Sequence, residues 1–302
     1  MTLPPQIRVF ERGWLSSNNV LARDGDAYTL VDSGYVAHVP QTLALLAQAL
    51  AGRPLARLVN THCHSDHMGG NAAVARAYGC PIAIPAGEAA AISAWDEPAL
   101  LLGYTGQDAE RFAHDETIAP GDRLRFGGLD WEALAAPGHD MNALMFHSRA
   151  ARVLISGDAL WENGFGLIFP ELFGAGGGFA ATRATLESIA RLDVATVIPG
   201  HGAPFSEVGR ALETAFARLD AYEREPAKLA RHGLKVMLSF SLMIHRRLAL
   251  AELPQFLAAR PVYADVNRRF LGLTDPELQA YLVNDLQRAG ALKLEDGWLI
   301  AA

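Results

Sequence analysis

The run His62-Cys63-His64-Ser65-Asp66-His67 constrains this chain more than any other feature. It follows residues 56–60, a short apolar stretch of the kind that forms a buried strand, and it precedes Gly69-Gly70. Four of its six side chains are imidazoles or a carboxylate, groups that can bind a metal ion. In a loop at a strand end, alternate residues point to one side. His62 and His64 can therefore share an ion, and Asp66 and His67, just beyond, can serve a second. Imidazole and carboxylate together suit zinc, and also iron and manganese. The chain has 10 histidines in 302 residues, so this density of ligand types is not what a polar loop acquires by chance. Cys63 is expected to point the other way, into the core.

Three later residues share one placement. His139 follows the apolar stretch 131–136, Asp158 ends the stretch 153–158, and His201 directly follows the apolar residues 195–198 and Pro199-Gly200. All are polar groups at strand ends, where α/β folds gather their sites. Alone, each would read as structural. Behind the run at 62–67 they read as one site. His114, His147 and His245 have no such pattern and are expected to be structural.

Strand signals cover residues 7–14, 18–23, 27–32, 56–60 and 81–85, with a hairpin turn at Asp24-Gly25-Asp26. Helical spacing covers Val39–Ala51, ended by Gly52 and Pro54, and a short helix covers 71–79. Residues 95–120 read as a loop with a helix. Four strands follow within 122–158, and 163–178 reads as a long loop rich in Gly and Phe. A helix at 181–192, a strand at 195–202 and a helix at 206–221 complete this part. The pattern predicts two sheets with helices outside, an α/β sandwich of four layers. The tail differs: three helical segments (235–247, 250–260 and 275–290) precede a hairpin around Asp296-Gly297, which reads as a winged helix. Thr274-Asp275-Pro276-Glu277 opens the third segment as an N-cap with Pro in the first turn. Residues 222–302 carry 11 Lys/Arg and 9 Asp/Glu, whereas the whole chain has a net charge of -7. That shift places a domain boundary near Tyr222, giving a catalytic domain over 1–221 and a tail domain over 222–302.

No apolar run approaches the roughly 20 residues a membrane helix needs. The N-terminus lacks a basic cluster followed by an apolar stretch, and two cysteines make no disulfide framework. A cytoplasmic protein without membrane contact is expected. The acidic balance disfavours nucleic acid as a partner.

In their order and spacing, Asp32 of Leu30-Val-Asp-Ser-Gly34, the HxHxDH run, His139, Asp158 and His201 resemble the metallo-β-lactamase superfamily of hydrolases over roughly residues 7–205. The resemblance implies the αβ/βα sandwich and a site for two divalent ions, zinc first, with iron or manganese suited too. It implies that His62, His64 and His139 hold the first ion. Asp66, His67 and His201 would hold the second, and Asp158 would bridge both. Asp32 would support the site; a turn-capping role before Gly34 fits it equally. Two such ions ~3.5–4 Å apart can share one water and lower its pKa towards 7, supplying hydroxide for hydrolysis. Asp66 could orient that hydroxide or take its proton. A bridging carboxylate is typical of the thioesterase, lactonase, ribonuclease and phosphodiesterase branches. The tail resembles that of lactamase-beta-2-like proteins, and glyoxalase II also has a helical C-terminal domain.

The expected activity is therefore hydrolysis of a small ester, thioester or lactone. The alternative is a phosphodiesterase or endoribonuclease using the same ions. It is disfavoured because Trp95–Asp108 and Asn163–Phe179 contain no Lys or Arg. A third reading is a non-catalytic, metal- or ligand-sensing DNA-binding protein. Trp95, Trp161 and Phe165 are expected to rim the site, which suits an apolar substrate. Arg246, Arg247, Arg268 and Arg269 could grip an anion, though a solvated basic face explains them more simply. Where the family usually has Thr or Ser after the histidine at 139, this chain has Asp140, which either faces the pocket or caps a turn. The Leu/Met-rich segment 234–244 could pair two chains into a homodimer.

Overall fold

The computed structural model describes residues 3–302. The first half builds one sheet. Strands β1 (Ile7–Phe10), β2 (Asn19–Asp24) and β3 (Ala27–Val31) form an antiparallel meander. Helix α1 (Val39–Leu50) then crosses to β4 (Leu55–Val59), which runs parallel to β3. The one-turn helix α2 (Ser65–Met68), α3 (Asn71–Tyr78), β5 (Ile82–Pro85), α4 (Ala89–Ala94) and β6 (Glu116–Ile118) follow. The six strands lie in sequence order, and β3 to β6 are parallel.

The second sheet is antiparallel over β7 (Arg123–Phe126), β8 (Leu129–Ala135), β9 (Leu144–Ser148) and β10 (Val153–Gly157). After α5 (Phe169–Phe173) and α6 (Gly178–Ala190), β11 (Thr196–Pro199) joins parallel to β10. Helix α7 (Val208–Arg224) closes this half.

Alternation along the strands sorts side chains into three cores. Val20, Ala22, Val31 and Val59 of the first sheet meet Phe126, Trp131, Phe146 and Ile155 of the second. On the outer face of the first sheet, Leu21, Leu30 and Leu58 pack on Leu46 and Leu50 of α1. On the outer face of the second, Met145, Leu154 and Val197 pack on Leu186 of α6 and Leu219 of α7. The result is the four-layer arrangement of helices, sheet, sheet and helices.

The tail begins with α8 (Pro226–His245), opened by a proline at its first position. Then come β12 (Arg247–Ala249), α9 (Leu253–Ala258), α10 (Pro261–Phe270), α11 (Asp275–Arg288), β13 (Leu292–Glu295) and β14 (Trp298–Ala301). The last strands form an antiparallel sheet in the order β12-β14-β13. Thr274 and Glu277 form a capping box at α11. Leu234, Leu238, Tyr263 and Leu282 share the core under the second sheet, so the tail is packed onto the sandwich. Tyr222 lies inside α7, and the chain turns at Glu225 before Pro226 opens α8.

The local expectations differ from the structure in several places. The first strand ends at Phe10, and 11–18 is a loop. Residues 95–115 contain no α-helix, but 116–118 is strand β6. The expected loop at 163–178 contains α5. Helix α10 and strand β12 had not been expected. In segment 234–244, Leu234, Met237, Leu238 and Leu242 are buried within the chain, and Val236, Phe240, Met243 and Ile244 are half-buried. Among the described residues, no helix is long and apolar enough to cross a membrane.

Candidate metal centre

The ends of two parallel strand pairs, β3–β4 in the first sheet and β10–β11 in the second, converge on one point. Asp32 follows β3, His62 and His64 follow β4, Asp158 follows β10, and His201 follows β11. His139 lies in the β8–β9 loop, and Asp66 and His67 occupy the turn of α2. That turn is tied down by its carbonyls. Asp66 O accepts from Ser17 N–H (3.0 Å), and His67 O accepts from Ser33 N–H (2.8 Å). Gly166 approaches so closely that a Cβ there would sit 2.5 Å from His139 Nδ1 and 3.0 Å from Asp158 Cβ. Only glycine lets the 163–168 loop close over the site.

The seven residues form two groups. Ligand atoms of His62, His64 and His139 lie within 4.8 Å of one another, and so do those of Asp66, His67, Asp158 and His201. Asp158 faces both groups. Its Oδ2 is 3.4 Å from His139 Nε2, and its Oδ1 is 3.4 Å from His67 Nε2 and 3.9 Å from His201 Nε2. Asp66 Oδ2 is 2.9 Å from His201 Nε2 and 3.7 Å from His67 Nε2.

Hydrogen bonds outside the groups set the ring tautomers. His67 Nδ1 donates to Asp32 Oδ2 (2.8 Å), and His139 Nδ1 donates to the Leu167 carbonyl (2.6 Å). Each ring then turns the lone pair of Nε2 inward. Asp32 also accepts from Thr61 N–H (2.9 Å) and the Thr61 hydroxyl (2.8 Å). Its carboxylate thus orients a candidate ligand rather than capping the turn before Gly34.

The donor set fits divalent cations. His62 Nε2 and His67 Nε2 are buried without a hydrogen-bond partner. His64 faces an acceptor on both sides, with Nδ1 2.8 Å from His139 Nε2 and Nε2 3.4 Å from Asp140 Oδ2. A neutral imidazole donates only once, so one contact needs a cation. Burial keeps these rings neutral: it pushes His62 well below its ordinary value and His64 and His139 down to about 4. At His67 burial acts in the same direction, but Asp32, Asp66 and Asp158 outweigh it and raise the pKa. At Asp158 burial opposes ionisation, but His67 and His201 hold the carboxyl well below its usual range.

Asp140 caps the turn and stands against a candidate ligand ring without lining the cavity. Its Oδ1 caps the turn by accepting from Asn142 N–H (2.6 Å), and its Oδ2 faces His64. Behind it lies Glu88, 5% exposed, which sequence alone did not single out. Burial first, and then Asp140, push Glu88 up from 4.5 to about 8. The fold therefore favours the neutral acid. That contribution is full below about pH 4.5 and is lost as pH rises through about 8. The melting temperature should fall more steeply between pH 5 and pH 9 in the native protein than in Glu88→Gln, whose amide carries no charge. Parallel profiles would show that Glu88 ionises freely.

A cavity of about 580 Å³ opens onto the two groups. Trp161 and Phe165 line it, as expected, and Trp161 Nε1 donates to Asp158 Oδ1 (3.2 Å). Trp95 does not; it packs against Phe112 in the outer core of the first sheet. Sequence reasoning missed three aromatic residues of the lining: Phe169, Phe240 and Trp14, which is 59% exposed and stacks on His201 with centroids 5.4 Å apart. None of Arg246, Arg247, Arg268 and Arg269 lines the cavity. Arg268 pairs with Asp265, and Arg247 lies over the Trp298 ring at 4.4 Å. Cys63 is buried in the outer core of the first sheet, away from the ligands.

Residues 12–201 match the Metallo-beta-lactamase superfamily. The chain belongs to that superfamily. Relatives in other organisms carry the name hydroxyacylglutathione hydrolase. The protein of Anaeromyxobacter dehalogenans is 32% identical over 230 residues, 74% of this chain and 78% of that one. The match to the Rhodospirillum rubrum protein is 29% identical over 126 residues, 41% of each chain. With the Hyphomonas neptunium protein the chain matches half of the relative's length. A beta-lactamase domain protein from Burkholderia ambifaria superposes with a TM-score of 0.62 at 22% identity, covering 100% of this chain and 94% of that one. That superposition shows a shared fold extending through the tail of this superfamily member.

Proposed function

We propose that this protein is a dinuclear metal-dependent hydrolase of a small ester, thioester or lactone. The observation that carries the reading is Asp158, whose two oxygens face two separate groups of ligand atoms at the floor of a mostly apolar cavity. His62, His64 and His139 would hold one ion and Asp66, His67 and His201 the other, with Asp158 shared. Two divalent ions there would supply a Lewis acid for the carbonyl oxygen and water of lowered pKa. The rest is done by the chain. Asp66 Oδ2, at the cavity floor beside His201 Nε2, is placed to hold and then accept a proton from the attacking water. Asp32 fixes His67, and the Leu167 carbonyl fixes His139, so neither ring reorients during turnover. Trp161, Phe165 and Phe169 exclude bulk water and seat an apolar acyl group.

We read residues 222–302 as a winged-helix module that walls this cavity, a reading supported by the order helix, strand, helices, strand, strand over Pro226–Ala301. The hydroxyacylglutathione hydrolases among its relatives point to thioesters as one class to test. Protein purified without added metal should contain two ions per chain. It should cleave at least one of an aryl ester, a lactone and a glutathione thioester. Two ions with cleavage only of a bis-aryl phosphodiester would replace this reading by a phosphodiesterase. One ion or none, with no turnover, would sink both.

A further inference from the structure

One cation of the cavity has no counter-charge. Away from the metal centre, the charged or titratable side chains lining the cavity are Glu162, Arg218 on α7, and His232 and Lys235 on α8. Lys235 Nζ is paired with Asp285 at 2.6 Å, and Glu162 takes Arg210 at 3.3 Å. On the same helix as Arg218, Asp220 and Glu223 are both engaged by Arg183. His232 is pushed down to about 4, by burial first and then by Arg218 and Lys235, so it is neutral. The Arg218 guanidinium is left without a hydrogen bond or ion pair among the described residues.

Its position is fixed. A Cβ at Gly164 would collide with the guanidinium, so Arg218 lies directly against the 161–166 loop. Gly164 exchanges backbone hydrogen bonds with Trp161, whose indole N–H reaches Asp158. The guanidinium therefore sits behind the turn that touches the metal ligands. The same cavity has apolar lining, with Phe165, Val236 and Phe240. Half-buried and unpaired, the guanidinium is open to an anion that enters the cavity. The planar fork of arginine matches a carboxylate or a phosphate.

We propose that the cavity binds amphipathic ligands whose carboxylate or phosphate group is seated on Arg218 while an apolar chain lies along Phe165, Val236 and Phe240. This deepens the hydrolase reading by naming a substrate class, and it rests on the cavity being the substrate site.

The test is calorimetric titration of the metal-loaded protein with octanoate, octyl phosphate and 1-octanol. The native protein should bind one of the anions at least tenfold more tightly than the alcohol, and the tighter one identifies the anion. In Arg218→Met that preference should fall below a third of its native value, and Arg218→Lys should keep part of it. Binding of 1-octanol within twofold in all three proteins would show that the cavity is intact. A preference that persists above a third in Arg218→Met would place the anion on the metals and overturn the proposal. So would the absence of any preference in the native protein. Because the readout is binding, failure of all esters to turn over would remove the hydrolase reading, and with it the ligand's role as substrate, while the anion site at Arg218 would still be tested by the titration.

Discussion

Asp158→Ala is expected to leave one metal ion or fewer per chain and to lower kcat/KM by about 100- to 1,000-fold, the range lost when a preorganised electrostatic group is removed from a reaction centre. The expectation follows from geometry. Oδ1 and Oδ2 each lie 3.4 Å from an imidazole nitrogen of a different group, so the carboxylate stands between the two sites. Its negative charge is held there by His67 and His201 against the pull of burial. Without it, the five imidazoles keep Asp66 as the one carboxylate between them, with Asp32 behind His67 and Asp140 behind His64, and a second divalent ion meets less negative charge. Trp161 also loses the acceptor of its indole N–H, so the cavity wall loosens at the same step. Asp158→Asn separates the two effects: it can keep the tryptophan contact but not the charge. Metal content by elemental analysis and turnover of an aryl ester check this together. Two ions retained in Asp158→Ala would refute the bridging role.

What the sequence made legible follows the range of the forces involved. The strands at 19–24, 27–31 and 153–157 carry their state in their own composition, and the polar residues at their ends were visible as a set. Helix α11 announced itself through Thr274 and Glu277, whose capping bonds are local. Strand β12 is three residues long and owes its state to pairing with β14, a partner about fifty residues away, so no local pattern encodes it. Helix α10 did carry a signal that went unread: Pro261 at its start, with Val262, Tyr263 and Val266 on one face. The metal ligands were readable because metal binding needs particular side-chain types at particular spacings. The cavity wall was not, because it is made where α7 and α8 meet the sandwich. Arg218 and Lys235 read as ordinary helix-surface charges in the sequence, and only tertiary packing turns them inward. Trp14 and Trp95 show the same limit. Both sit in irregular chain, yet one stacks on His201 and the other fills a remote core.

Asp32→Asn should weaken binding of the ion held by Asp66, His67 and His201 by about 10- to 100-fold, the loss usual when the carboxylate behind a ligand imidazole is removed. Asp32 is 3% exposed, and its carboxylate accepts from His67 Nδ1 and from the backbone and hydroxyl of Thr61. An asparagine here tolerates the left-handed backbone, φ 59° at this position, so the backbone need not move. The amide, however, has one accepting and one donating end. Turned one way, it donates to His67 Nδ1 and drives the ring proton onto Nε2, the atom that faces Asp158. Turned the other way, it opposes the N–H of Thr61. Either orientation breaks a buried, charge-assisted contact, which costs about 3 kcal/mol of folding stability. Competition with a chromogenic chelator measures the affinity, and thermal melts of the metal-free protein measure the stability. A lowered melting temperature with unchanged chelator competition would show that Asp32 serves the fold alone. Both falling together would establish that the bond holding α2 against the end of β3 also keeps the second ion in place.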